Sequence, residues 1–163
     1  MAFHTAAGTR LYIGTTLDVD FEAQTDEQIA TAIDGDSLVE VGELETMSPF
    51  GDTAAESPFT ALGDRRVRKA KGSFNAGNLA GTCAFDSGDA GQAAILAALA
   101  TDFDYNFKVV FNDGSPGSPS SPTTQYFRGK VMGAPVNVGN ADNVIRRDIT
   151  VGINSKIVQI DAV

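Results

Sequence analysis

A chain of 163 residues, 42% hydrophobic and 20% charged, has the size and composition of one globular domain with its own core, not of a disordered chain. Its net charge of −9 argues against general nucleic-acid binding, because a negative surface repels phosphate. A single cysteine, Cys83, excludes an internal disulfide, and no apolar run approaches the roughly 20 residues of a membrane-spanning helix.

The N-terminus "MAFHTAAGTR" carries no apolar signal-peptide core, so the chain is expected to fold in a cytoplasm. One domain over 1–163 is expected, with an N-terminal arm at 1–8. "RLYIG" (10–14) is the first candidate strand. Residues 18 to 45 then hold Asp18, Asp20, Glu22, Asp26, Glu27, Asp34, Asp36, Glu40, Glu43 and Glu45, and no base. Within them, "TDEQIATAI" admits a short helix, because Thr25 and Gln28 fit a capping box. "SLVEV" (37–41) is a second strand candidate.

Residues 46–77 carry two prolines, four glycines and no sustained pattern, and read as a long loop. A loop of that length in a compact domain is usually functional or ordered by a partner. It contains "DRRVRKAKG" (64–72), which gathers Arg65, Arg66, Arg68, Lys69 and Lys71 out of only 12 bases in the chain. "LAGTCAFD" follows as a strand with Leu79, Gly81, Cys83 and Phe85 on one face. "DAGQAAILAALAT" (89–101) predicts a nearly apolar helix, begun by Asp89 with Gln92 three residues on, which should pack onto a sheet.

Period-two alternation returns in "YNFKVVFN", with Tyr105, Phe107, Val109 and Phe111 on one face. "NDGSPGSPSSPTT" (112–124) reads as an exposed hairpin loop. "QYFRGKVM" turns Phe127 and Val131 inward and Arg128 and Lys130 outward. "VIRRDITVGI" aligns Ile145, Ile149, Val151 and Ile153, interrupted by Arg147. "KIVQI" (156–160) lies in a C-terminal segment, 155–163. The fold expected is mainly β, sandwich- or barrel-like, with about seven strands and a flanking helix near 89–101.

Catalysis finds little support. His4 is the only histidine and lies in the terminal arm, and Cys83 fits the inward face of a strand as a small apolar residue. "DGDS" (34–37) resembles the start of a calcium loop but continues with Leu38 and lacks the glycine that the sixth position needs. "DVDFE" (18–22) is no stronger, and no phosphate-binding glycine loop occurs. No enzyme activity, cofactor or metal is expected.

The basic run admits three readings. A nucleic-acid patch would want interleaved aromatic residues, which are missing. A solvated face needs no partner. A docking arm would account for both the long loop and the acid-rich segment, since complementary patches orient partners. On that reading Arg65, Arg66, Arg68, Lys69 and Lys71 meet acids among Asp18, Asp20, Glu22, Asp34, Asp36, Glu40, Glu43 and Glu45 of a sister subunit.

The ordered set "GTRLYIG", "VEVGELETMS", "RRVRKAKGSFNAGNLAGTCAFDSGDAGQAAILAAL", "YNFKVVFNDG" and "QYFRGKVMGAPVNVGNADNVIRRDITVGI" resembles the major tail tube protein of siphovirus-type, lambda-like phages, over roughly residues 9 to 154. That resemblance implies a structural subunit in the virion tail, assembled in the host bacterial cytoplasm. Six copies would form a ring, and rings would stack into a hollow tube that conducts DNA during ejection without binding it specifically. The partners implied are further copies of the chain and other tail proteins (tape measure, terminator, tail tip), with no membrane. The long loop would reach a neighbouring subunit or ring. The alternative is a related tube or connector: a contractile-tail or secretion-system tube, or a tail terminator.

Overall fold

The computed structural model describes residues 3–114 and 121–163. Much of the hairpin loop expected at 112–124 therefore falls outside the described residues. In chain order the elements are β1 (Arg10–Ile13), α1 (Asp26–Asp34), β2 (Val39–Glu40), β3 (Leu44–Met47), β4 (Thr53–Phe59), β5 (Arg68–Asn75), β6 (Asn78–Ala84), α2 (Ala90–Leu99), β7 (Tyr105–Val110), β8 (Thr124–Gly133), β9 (Val136–Asn137), β10 (Arg146–Ile153) and β11 (Val158–Ile160). All seven expected strands are present, as β1, β2, β6, β7, β8, β10 and β11. β3, β4, β5 and β9 are additional.

Nine strands form one antiparallel sheet in the order β2-β1-β7-β8-β10-β6-β3, with β11 on β8 and β9 on β10. Its core follows from the period-two rule. Leu11, Ile13, Leu79, Cys83, Phe107, Val109, Phe127, Val131, Ile149 and Val151 all point to one face and are buried there. Phe107 lies opposite Phe127 in the register, and their rings stack at 5.4 Å. Phe50, just beyond β3, folds back over this face to stand 5.8 Å from Phe127.

The two helices cover opposite faces. α2 contributes Ile95 and Ala98 to the core beside Phe127. Asp89 caps it, accepting from the Gln92 N–H at 2.8 Å. The Gln92 side chain does not return to the cap. It is buried, donates to the Ala84 carbonyl at 2.8 Å and accepts from the Asp86 N–H, so it fastens the helix to the end of β6. Asp89 also accepts from the Gly42 N–H at 3.1 Å. Gly91 lets the first turn ride directly over the chain at β2, since a Cβ there would stand 2.0 Å from the Glu40 carbonyl oxygen.

α1 packs on the other face through Ile29, Ala30 and Ile33, spaced for one helical stripe, against Val19, Phe21, Tyr126 and Val158. The expected capping box is formed in full: Thr25 Oγ1 accepts from the Gln28 N–H, and Gln28 Oε1 accepts from the Thr25 N–H at 3.1 Å.

The interruption at Arg147 has a specific form. Its side chain is buried on the core face, where Nη1 donates to the Ala134 carbonyl at 2.9 Å and the guanidinium lies 5.1 Å from the Phe85 ring centre. Among the described residues no helix is long and apolar enough to cross a membrane.

Candidate assembly surfaces

Residues 46–77, which read as an irregular loop, contain an antiparallel hairpin. β4 pairs with β5 from Thr53↔Asn75 to Phe59↔Arg68, with an irregularity between Ala54 and Glu56. Among the described residues it makes no substantial contact with another element. That explains its silence in the sequence: alternation arises where one face packs on a core, and neither face of this hairpin does.

Its own contacts are local. Lys69 pairs with Glu56 at 2.9 Å across the strands. At the tip, Asp64 accepts from the Arg66 N–H and pairs with Arg68, both at 3.0 Å. Phe59, Leu62, Val67 and Phe74 are exposed, Leu62 completely. An isolated two-stranded hairpin is marginal in water, and one that also shows four large apolar side chains has the character of a contact element.

Within the chain, the structure does not bring the basic run and the acidic segment together. The acids are served by bases scattered over the sheet. Asp18 pairs with Arg128, Asp26 with Lys156 at 3.5 Å, Asp34 with Lys108 at 2.6 Å, Glu40 with Arg10 at 3.8 Å and Glu45 with Arg146 at 2.5 Å. Asp34 also accepts from the Tyr126 hydroxyl at 2.9 Å; burial first, and then that carboxylate, push the phenol above its usual range.

Asp36 is held by four donors. Thr15 gives its N–H at 2.7 Å and its hydroxyl at 2.6 Å, Ser37 its N–H at 2.8 Å and Asn106 its amide at 3.2 Å. Burial would raise this carboxyl, but the Thr15, Asn106 and Ser37 hydrogen bonds outweigh it and hold it below the ordinary range. Asp20 accepts from the N–H groups of Glu22 and Ala23. Among the described residues, the side chains of Glu22 and Glu43 have no ion pair or hydrogen bond, and neither do those of Arg65, Arg66 and Lys71.

A second surface lies where β6, β9 and β10 end together, and the sequence did not single it out. Phe85 donates its N–H to the Ile145 carbonyl at 2.9 Å, and Arg147 stands opposite Val136. The result is a group of exposed apolar side chains: Phe85, Val136, Val138, Val144 and Ile145. Acids edge it. Glu43 joins through its carbonyl, which accepts from the Ala84 N–H at 2.9 Å; Asp86 follows Phe85, and Asp142 lies in the turn before Val144.

His4 lines an open groove of about 930 Å³ between β3 and the N-terminal arm, with Leu44, Met47, Phe50, Phe111 and Asp113. Cys83 is buried, its thiol pushed up by that burial, and its Sγ donates to the Arg147 carbonyl. Among the described residues no three metal-binding side chains cluster.

No family model matches the chain, and no curated protein matches it in sequence. Solved structures do match in fold. A chain from the sheath/tube terminator of the extracellular contractile injection system PVC aligns with TM-score 0.66 and 8% identity, over 98% of both chains. A chain of the anti-feeding prophage baseplate aligns with TM-score 0.65 and 11% identity, over 99% of this chain and 98% of that one. The SPP1 tail tube aligns with TM-score 0.60 and 14% identity, over 94% of this chain and 76% of that one. The fold is thus shared, along nearly the whole of this chain, with the SPP1 tail tube and with chains of the anti-feeding prophage baseplate and the PVC sheath/tube terminator.

Proposed function

We propose that this protein is the structural subunit of a phage tail tube. Copies form hexameric rings, and the rings stack into a hollow tube that conducts DNA during ejection. The lambda-like, siphovirus-type tube is the form the sequence resemblance favours, with the virion tail as its location and tape measure, terminator and tail-tip proteins as neighbours. The observation that carries the reading is the likeness of fold, over nearly the whole of this chain, to the SPP1 tail tube and to chains of the anti-feeding prophage baseplate and the PVC contractile injection system. The unsupported β4–β5 hairpin adds support, since it carries Arg65, Arg66, Arg68, Lys69 and Lys71 away from the body and leaves its apolar side chains for a neighbour to cover. A net charge of −9 suits a channel past which DNA slides without adhering. The role is structural rather than enzymatic.

The second reading is a terminator that caps a tail as one ring, favoured by the likeness to the PVC sheath/tube terminator. Electron microscopy of the purified protein separates the two. Long tubes with sixfold end views are expected. Single rings that never stack would establish the second reading, and a protein that stays monomeric at high concentration would overturn both.

A further inference from the structure

We infer that the tip of the β4–β5 hairpin docks on the apolar end of a second copy, the surface formed by Phe85, Val136, Val138, Val144 and Ile145. This rests on the tube reading and names the acceptor within it.

Three observations select this surface. The first is what the acids of 18–45 are doing. Asp18, Asp26, Asp34, Glu40 and Glu45 are each paired with a base of their own chain, and Asp36 is saturated by four donors. Drawing any of them to a neighbour's arginine would break a contact already made. Among the described residues the side chains of Glu22, Glu27 and Glu43 are free of such ties, and of these Glu43 sits at this end of the sheet, beside Ala84.

The second is chemical match. The tip presents Phe59, Leu62 and Val67 next to Arg65, Arg66 and Arg68. The acceptor presents exposed apolar side chains edged by Glu43, Asp86 and Asp142. Apolar area meets apolar area, and cations meet anions around it, which is the anatomy of an interface with a dry centre and a polar rim.

The third is connectivity. The tip and the acceptor are different surfaces of one chain, so the contact is heterologous. Each copy offers a hairpin to one neighbour and an acceptor to another, which propagates a ring or a stack instead of closing a dimer. The acceptor is also firm, because the guanidinium of Arg147 is packed beneath the Phe85 ring at 5.1 Å and anchored on the Ala134 carbonyl.

The test joins Leu62→Cys in one copy to Val138→Cys in another. Both positions are exposed, and the native Cys83 is buried. The two variants are mixed under assembling conditions and treated with a short bis-maleimide. A covalent dimer is expected from the mixture, well above the level of either variant alone. A parallel mixture replaces Val138→Cys with Glu22→Cys, in the acidic segment. Cross-linking to Glu22→Cys, but not to Val138→Cys, would overturn the acceptor assigned here. So would a lack of cross-links in tubes or rings visible by microscopy, and in both cases self-association itself would stand. Wild-type protein that forms no assembly would overturn the tube reading and the contact together. A second arm reverses charge on both sides: assembly lost in Arg65→Glu/Arg66→Glu is expected to return on adding Glu43→Arg/Asp86→Arg, and failure of that rescue alongside absent cross-links counts against the contact.

Discussion

Arg146 grips Glu45 with two nitrogens, Nε to Oε2 at 2.5 Å and Nη2 to Oε1 at 3.2 Å, and so ties the edge strand β3 to β10 across the intervening β6. This fork geometry is the strong form of a carboxylate–guanidinium pair. It also illustrates how a base-free acidic segment finds its counter-charges within the fold: they lie far away in sequence.

The pair gives stability a defined pH dependence. The hydrogen bond from Arg146 holds the Glu45 carboxyl below its ordinary range. A carboxyl whose folded value is lowered contributes fully above its unfolded value, roughly pH 4.3, and loses that contribution as pH falls through the folded value. Glu45→Gln should therefore lower the urea midpoint at neutral pH, with the gap closing in acid. A gap of equal size at neutral and strongly acidic pH would contradict the assignment.

Asp36 is the more deeply embedded carboxylate. Its four donors include Asn106, which is fully buried and also donates to the Leu17 carbonyl at 2.9 Å. Asp36→Ala would leave the Asn106 amide and the Thr15 N–H short of acceptors, at a cost of about 1–3 kcal/mol. Asp36→Asn would restore only part of this, because each carboxylate oxygen accepts from two donors. Urea unfolding of the three proteins should rank them wild type, then Asn, then Ala; an Ala variant as stable as wild type would show that solvent replaces the lost acceptor.

What the sequence made legible follows from packing. Strands with one face on the core announced themselves by alternation, as Phe107 and Val109 in β7 and Ile149 and Val151 in β10 illustrate. The capping box at Thr25 and Gln28 was legible because it is a local contact. β3 and β9 were too short to show a period, and the β4–β5 hairpin has no buried face to impose one. The ion pairs were hidden for another reason: Asp18–Arg128 and Glu45–Arg146 join residues 110 and 101 positions apart, so segregated charge along the chain says little about charge in space. The apolar end at Phe85 was concealed because Phe85 and Ile145 continue alternating strands and read as core.

Gly91 sets local propensity against packing. Alanine is the better helix former by about 1 kcal/mol, so α2 considered alone would gain from Gly91→Ala. In the folded chain the new Cβ would stand 2.0 Å from the Glu40 carbonyl oxygen and 2.5 Å from the Val41 Cα, both backbone atoms that cannot swing aside. Overpacking of this kind costs about 1–3 kcal/mol or more. The variant should unfold at lower urea and lower temperature than wild type, and a raised midpoint would mean that α2 can lift off β2 without penalty.

Reversing charge at the hairpin separates folding from assembly. Arg65, Arg66 and Arg68 lie outside the core, and among the described residues the only ion pair lost would be the exposed Arg68–Asp64 contact, which at such sites is worth about 0–1 kcal/mol. Arg65→Glu/Arg66→Glu/Arg68→Glu should therefore keep the wild-type urea midpoint to within that range. Its tubes should be short or absent by electron microscopy, because three cations meant for a neighbour's carboxylates would now repel them. Replacement by lysine keeps the charge and should keep most of the assembly. Wild-type assembly should also weaken as salt rises, since contacts at an exposed rim are screened beyond about 10 Å at 0.1 M. Tubes of normal length from the glutamate variant would remove the hairpin's charges from the assembly contact and leave Phe59, Leu62 and Val67 to account for it alone.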